Sequence, residues 1–172
     1  MVRSPKYDVA VKKEIPIMTA EWISQVWEKG KHDNIHATDP IFTRYKCPAL
    51  MGLTLTVSQM GRKEKEMLKR SIEGHGGTYT GQLDMEQTQI LIISKPEGDK
   101  YKYAKKWKIP CISQDWVLDS IEKGYCMHTE GYRIDHSRGT STPTKVSSFK
   151  HSFGIEGRIM ILEIMKRIFR EY

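Results

Sequence analysis

A serine at a strand end and two lysines at equivalent helix starts are the residues of this sequence best suited to chemistry. Lys100 opens the segment KYKYAKKWKIPCISQDWVLDSIEKG, and Lys6 opens KYDVAVKKEIPIMTAEWISQVWEKG 94 residues earlier, in a gapless match from Lys6 to Gly30 and Lys100 to Gly124. A cation in the first turn of a helix is unfavourable by about 0.3 to 1 kcal/mol, because it faces the positive end of the helix dipole. Its recurrence therefore invites an explanation. Ser58 ends the β-rich run LTLTVS, and a helical pattern starts close behind it near Lys63. A hydroxyl, free backbone N–H groups and a helix N-terminus at one corner suit an anion.

The elements that must position these groups follow from periodicity. Leu53 to Ser58 reads as a strand, and KEKEMLKRSIEGHGG as a helix whose Met67, Leu68 and Ile72 mark one face. The glycines that end it, Gly76 and Gly77 among them, allow a tight return into a short strand at Thr78 to Thr80. Gln89 to Ser94 (QILIIS) is a continuous apolar run, the pattern of a central strand covered on both faces. Lys95 to Asp99 is a turn, Lys100 to Trp107 a helix, Ile109 to Ile112 a strand and Ser113 to Lys123 a final helix stopped by Gly124. The order βαββαβα predicts an α/β fold with a four-stranded parallel sheet flanked by helices. Trp116, and Trp22 in the earlier copy, have the spacing of packing anchors rather than ligand contacts.

Composition narrows the function classes. The formal charge of +7 favours an anionic partner, whether a phosphorylated protein, nucleic acid or a membrane surface. No apolar run approaches the roughly 18 residues of a membrane span, and the N-terminus lacks a signal-peptide pattern, so the chain reads as soluble and intracellular. Cys47, Cys111 and Cys126 form no CxxC, and the histidines have no zinc-ligand spacing, which predicts reduced thiols, no metal and no cofactor. With no paired carboxylates, Walker loop or nucleophile beside a base, an enzyme is not expected.

The paired glycines Gly76 and Gly77, the apolar third strand and the Trp116 of SQDWVLDSI resemble the signature of the BRCT repeat, the C-terminal repeat of the breast-cancer-susceptibility protein. Whole segments carry the likeness, among them CPALMGLTLTVS, EGHGGTYTGQLDMEQTQILII and PEGDKYKYAKKWKIPCISQDWVLDSIEKGYC, and they are most similar to the first two repeats of a replication and checkpoint scaffold. The resemblance implies residues 1–30 as the C-terminal half of a truncated repeat, 31–44 as a linker and 45–135 as a complete repeat. Beyond these, 136–154 reads as a Ser/Thr-rich linker and 155–172 as an amphipathic helix with Ile161, Leu162, Met165, Ile168 and Phe169 on one face.

The resemblance also implies a site and partners. In BRCT repeats that read phosphoserine or phosphothreonine, a strand-end Ser or Thr, a backbone N–H and a helix-start Lys surround one phosphate, and Ser58 and Lys100 match two of these. A further basic contact comes from the first helix, where Lys65 is favoured and Arg62 is the alternative. Gln59 stands where the family usually has Gly. Lys6 is the counterpart of Lys100 in the incomplete repeat, so one competent pocket is expected. The implied role is a nuclear phosphoprotein-binding scaffold of DNA replication, repair and the damage checkpoint, with the checkpoint-clamp tail and replication-initiation factors as partners. Two other readings stay open: binding to DNA ends or 5′ phosphates through the lysine-rich helix, and a structural repeat without ligand. The truncated repeat leaves Ile15, Ile17, Trp22, Ile23 and Trp27 short of cover, which another surface, including a second copy of the chain, could supply.

Overall fold

The apolar run of the third strand organises the molecule. In the computed structural model, which describes residues 4–134, Ile90–Ile93 forms a strand whose four residues are all buried. It is β3 of a four-stranded parallel sheet of order β2-β1-β3-β4, with β1 at Thr54–Ser58, β2 at Thr78–Thr80 and β4 at Cys111–Ile112. Alternate side chains of β3 feed two cores. Ile90 and Ile92 join Leu55, Val57, Leu68, Ile72, Trp116 and Val117 on one face, and Leu91 and Ile93 join Tyr101, Ala104 and Ile109 on the other. A strand apolar at every position thus serves two helical layers at once.

The helices fall where the periodicity places them. After α1 (Pro5–Lys12) and α2 (Ala20–Gly30) come α3 (Arg62–Gly74), α4 (Asp99–Lys106) and α5 (Asp115–Lys123). Helices α3 and α5 pack on one face of the sheet and α4 on the other. The expected α/β fold with a flanked four-stranded parallel sheet is the one observed. The two glycines after α3 have separate reasons. Gly76 has φ of 80°, the left-handed region that favours glycine, whereas a Cβ on Gly77 would sit 2.8 Å from Ile72 Cγ2. Trp116 is fully buried, and its indole N–H donates to the Met127 carbonyl at 2.9 Å.

The N-terminal segment repeats this backbone at the offset of 94. Helix α1 maps residue for residue onto α4, and the left-handed Glu14 (φ 55°) falls on Lys108 (φ 58°). Thr19 N–H donates to the Tyr45 carbonyl at 2.8 Å, as Ser113 N–H does to Tyr132 at the same distance. The Trp22 indole donates to the Ala37 carbonyl, the counterpart of the Trp116 bond. Residues 31–44, expected as a linker, run into a 3₁₀ helix over Pro40–Tyr45, the equivalent of Glu130–Tyr132. Phe42 and Tyr45 are buried there and Lys46 bridges back to Met18, so the chain around residues 40–47 returns to the N-terminal segment.

What the half repeat lacks is visible in exposure. Ile23 is 65% exposed, whereas its equivalent Val117 is 0%, and Ile15 is 53% exposed against 7% for Ile109. Among the described residues, all four sheet strands belong to the other repeat. The expected Ser/Thr-rich linker at 136–154 and helix at 155–172 lie outside the described residues.

Candidate phosphate-binding site

Strand β1 and helix α4 bring the two predicted groups to one corner. Ser58 is the last residue of β1 and is half-buried. Lys100, the second residue of α4, reaches under that end of the sheet, where its Nζ donates to the Val57 carbonyl at 3.4 Å and to the Gly81 carbonyl at 2.6 Å. The ammonium therefore lies one peptide from Ser58. The residues on either side of Gly81 are tied to a hydroxyl cluster around buried Thr56. Thr56 Oγ1 donates to the Gln82 carbonyl at 3.0 Å, and the Thr56 and Thr80 hydroxyls share a hydrogen bond of 2.6 Å.

The electrostatics of the corner are one-sided. Burial pushes the Lys100 pKa below the usual lysine range, and the positive charge of Lys65 lowers it further. Lys65 is half-buried on the first turns of α3, whereas Arg62 is exposed at its start. Lys65 is thus the basic residue of that helix whose charge reaches Lys100. Among the described residues neither lysine has an ion pair with a carboxylate. A desolvated cation facing a second cation is in an unfavourable state that an anion relieves. One donor of the neighbouring helix start is already used, since Gly61 N–H donates to Glu64 Oε2 at 2.9 Å.

Gln59 departs from expectation in a specific way. Its φ is 56°, so it adopts the left-handed backbone that a glycine would take there, despite its Cβ. The Ser94 hydroxyl donates to its carbonyl, and its own Nε2 donates to the Glu97 carbonyl at 3.2 Å. Ser94, Glu97 and Gly98 were invisible as site residues in the sequence, where KPEGD reads only as a turn; the bonds that matter join residues 35 and 38 positions apart. Lys6 is exposed on α1, and the sheet strands of the described residues, β1 to β4, come from residues 54–112.

Other features lie elsewhere. An apolar cleft of about 350 Å³, lined by Tyr7, Cys47, Leu53, Ile90, Pro110 and Trp116 among others, sits at the opposite ends of the strands, beside α1. Tyr7 Oη accepts from Cys126 N–H at 2.8 Å across it. Burial pushes the Cys47 thiol up, away from reactivity. Among the described residues no group of His, Cys, Asp or Glu is placed to hold a metal, and no helix is long and apolar enough to cross a membrane.

Residues 53–116 match the twin BRCT domain family. The chain is 28% identical over 134 residues to the S-M checkpoint control protein rad4 of Schizosaccharomyces pombe, covering 77% of this chain and 20% of that protein. It is 30% identical over 141 residues to PAX-interacting protein 1 of Danio rerio, covering 80% of this chain and 14% of that protein. The chain thus spans a fifth or less of these curated relatives. Two crystal structures of Rad4 BRCT1,2 superpose on it, one in complex with a Crb2 phosphopeptide (TM-score 0.68) and one with a Mdb1 phosphopeptide (TM-score 0.70). Both are 26% identical and cover 78% of this chain and about three quarters (74% and 75%) of the other. None of these matches indicates a catalytic family. With the parallel sheet, the Gly76–Gly77 turn and the buried Trp116 all in place, the chain belongs to the BRCT-repeat family.

Proposed function

We propose that the complete repeat reads phosphoserine or phosphothreonine in partner proteins through one pocket, built by Ser58, the backbone N–H groups after it, Lys65 and Lys100. The observation that carries this reading is the state of Lys100: a half-buried ammonium, repelled by Lys65, one peptide from a strand-end hydroxyl and without a carboxylate partner among the described residues. A phosphate brings about −1.5 to −2 charges to that corner. It would take over the Lys100 donors now spent on the Val57 and Gly81 carbonyls. The phosphopeptide complexes of Rad4 BRCT1,2 support the same class of ligand.

Each charge-assisted hydrogen bond contributes roughly 1.5 to 3 kcal/mol, against the cost of ordering a flexible peptide. One pocket therefore gives micromolar affinity, and tighter binding requires a second module engaging a neighbouring site. The role that follows is a nuclear scaffold module in the DNA-replication and damage checkpoint, binding phosphorylated checkpoint and replication-initiation proteins. The uncovered face of α2 offers a further contact, including with a second copy of the chain.

A second reading has an observation of its own. At the end of α4, exposed Tyr103 and half-buried Trp107 lie with ring centroids 5.4 Å apart beside exposed Lys102 and Lys106, an arrangement suited to nucleic acid. Titration of a peptide library centred on phosphoserine, phosphothreonine or their unphosphorylated forms, with wild-type and Lys100→Glu protein, separates the two. The phosphopeptide reading expects a preference for phosphate that the substitution abolishes while the fold is kept. Retained preference in Lys100→Glu overturns the pocket, and DNA binding that is independent of Lys100 and falls steeply with salt supports the second reading.

A further inference from the structure

Three non-glycine residues of the described chain have positive φ: Glu14, Gln59 and Lys108. Glu14 and Lys108 are the same turn in the two repeats, so the fold itself requires their conformation. Gln59 has no such explanation. It sits at the corner that the phosphate reading assigns, in a position where a left-handed backbone is strained for any residue with a Cβ.

The contacts that hold it there all run to one segment. Its carbonyl accepts from the Ser94 hydroxyl, at the end of β3, and its side-chain amide donates to the Glu97 carbonyl at 3.2 Å. Gly98, itself at φ 86°, leaves the space that the Gln59 amide fills, and a side chain at 98 would overlap that amide. Gly98 is the N-cap of α4, two residues before Lys100. The residue after Ser58 is therefore tied, by main chain and side chain together, to the loop that delivers Lys100.

We propose that Gln59 is a positioning residue, a latch between the loop after β1 and the loop before α4 that fixes Ser58 and Lys100 at the separation needed to hold one phosphate. The proposal rests on the phosphate reading of this corner. The latch does its work before the ligand arrives: it removes the freedom of two loops that would otherwise have to be ordered on binding. Gly98 is its receptor, which gives a glycine in a plain-looking turn a reason that its φ alone does not exhaust.

The substitutions that test it separate latching from mere structural support. Gln59→Gly relieves the left-handed strain, so its melting temperature stays equal to that of the wild type or rises. Its affinity for the best phosphopeptide of the library should nevertheless fall about fivefold, the worth of one ordinary hydrogen bond. Gln59→Met keeps the bulk without the donor and should lose a similar factor. Amide hydrogen exchange across residues 94–100, measured without peptide, should quicken in both variants. Unchanged exchange and unchanged affinity overturn the latch and leave the phosphate pocket standing. A wild-type chain that shows no preference for phosphorylated peptide overturns the phosphate reading, and with it the role assigned to Gln59.

Discussion

The duplicated backbone allows one position to be tested in two environments. Val117 on α5 and Ile23 on α2 are equivalent by the offset of 94, yet Val117 is 0% exposed and Ile23 is 65% exposed. Val117→Ala deletes two buried methyl groups. At about 0.5 to 1.5 kcal/mol for each buried methylene-sized group, including the residual cavity, this should cost about 2 kcal/mol. Ile23→Ala removes more atoms but from solvent, and alanine is the better helix former by a few tenths of a kcal/mol. It should change stability by less than about 0.5 kcal/mol. The assay is urea denaturation of the full chain with each variant, followed by tryptophan fluorescence, at two protein concentrations. A common slope with a lowered midpoint for Val117→Ala and an unmoved midpoint for Ile23→Ala is the expected result. A loss above about 1 kcal/mol in Ile23→Ala would refute the reasoning, because it would mean that the α2 face is covered in solution. If that loss also depends on concentration, the cover is a second copy of the chain.

Two further predictions concern the charges at the site. Phosphopeptide affinity should fall below about pH 6, where the phosphate loses its second charge. It should fall again in alkali as Lys100 deprotonates, and the lowered pKa of Lys100 places that limb below the usual lysine range. Because the peptide binds only the protonated amine, a ¹³C titration of the Lys100 ε-carbon should show its pKa rising on binding; an unmoved value would remove Lys100 from the pocket. Without peptide the sign is the reverse of a salt-bridged lysine: the unfolded chain holds this proton more tightly, so the contribution of Lys100 to stability rises with pH through the window between its folded and unfolded values. Separately, Lys65→Glu should weaken phosphopeptide binding by tenfold or more and Arg62→Glu by less, measured by fluorescence anisotropy at fixed salt, since the charge of Lys65 and not of Arg62 acts on Lys100. Equal losses would mean that the two substitutions act only through net charge.

The parts of the fold legible in the sequence are those whose cause is local. Strand β3 is readable because a sheet covered on both faces demands apolar side chains at every position from Ile90 to Ile93. The end of α5 is readable because Gly124 takes the left-handed conformation that stops a helix. Ser58 and Lys100 are legible as separate candidates by strand-end and helix-start logic, and their meeting depends on parallel topology, which the βαββαβα order supplies. Gln59 is the opposite case. Local preference argues against a left-handed glutamine, and what stabilises it are bonds to Ser94 and Glu97 that no short window contains. The 3₁₀ helix at Pro40–Tyr45 was similarly hidden, because its reason is the exposed edge at Met18 to which Lys46 returns.

The duplication also separates what the fold needs from what the site needs. Positions that recur and are half-buried in the first copy and buried in the second, such as Tyr7 and Tyr101, Ala10 and Ala104, or Trp22 and Trp116, follow from packing one helix pair in one way. Lys6 and Lys100 recur without facing a core, so packing does not account for them, and a helix start disfavours them. Yet Lys100 alone is bonded under a strand end, with Lys65 against it, Gly81 beneath it and the Gln59 latch two residues from its helix. A helix-start lysine is therefore required by the proposed pocket and is by itself an insufficient sign of one. On the phosphate reading, what sets the second copy apart is the partial burial of Lys100, since a partly buried cation gains more than an exposed one from meeting a phosphate rather than water. Exposed Lys6 has water already, and charge reversal there should leave phosphopeptide binding where Lys100→Glu removes it.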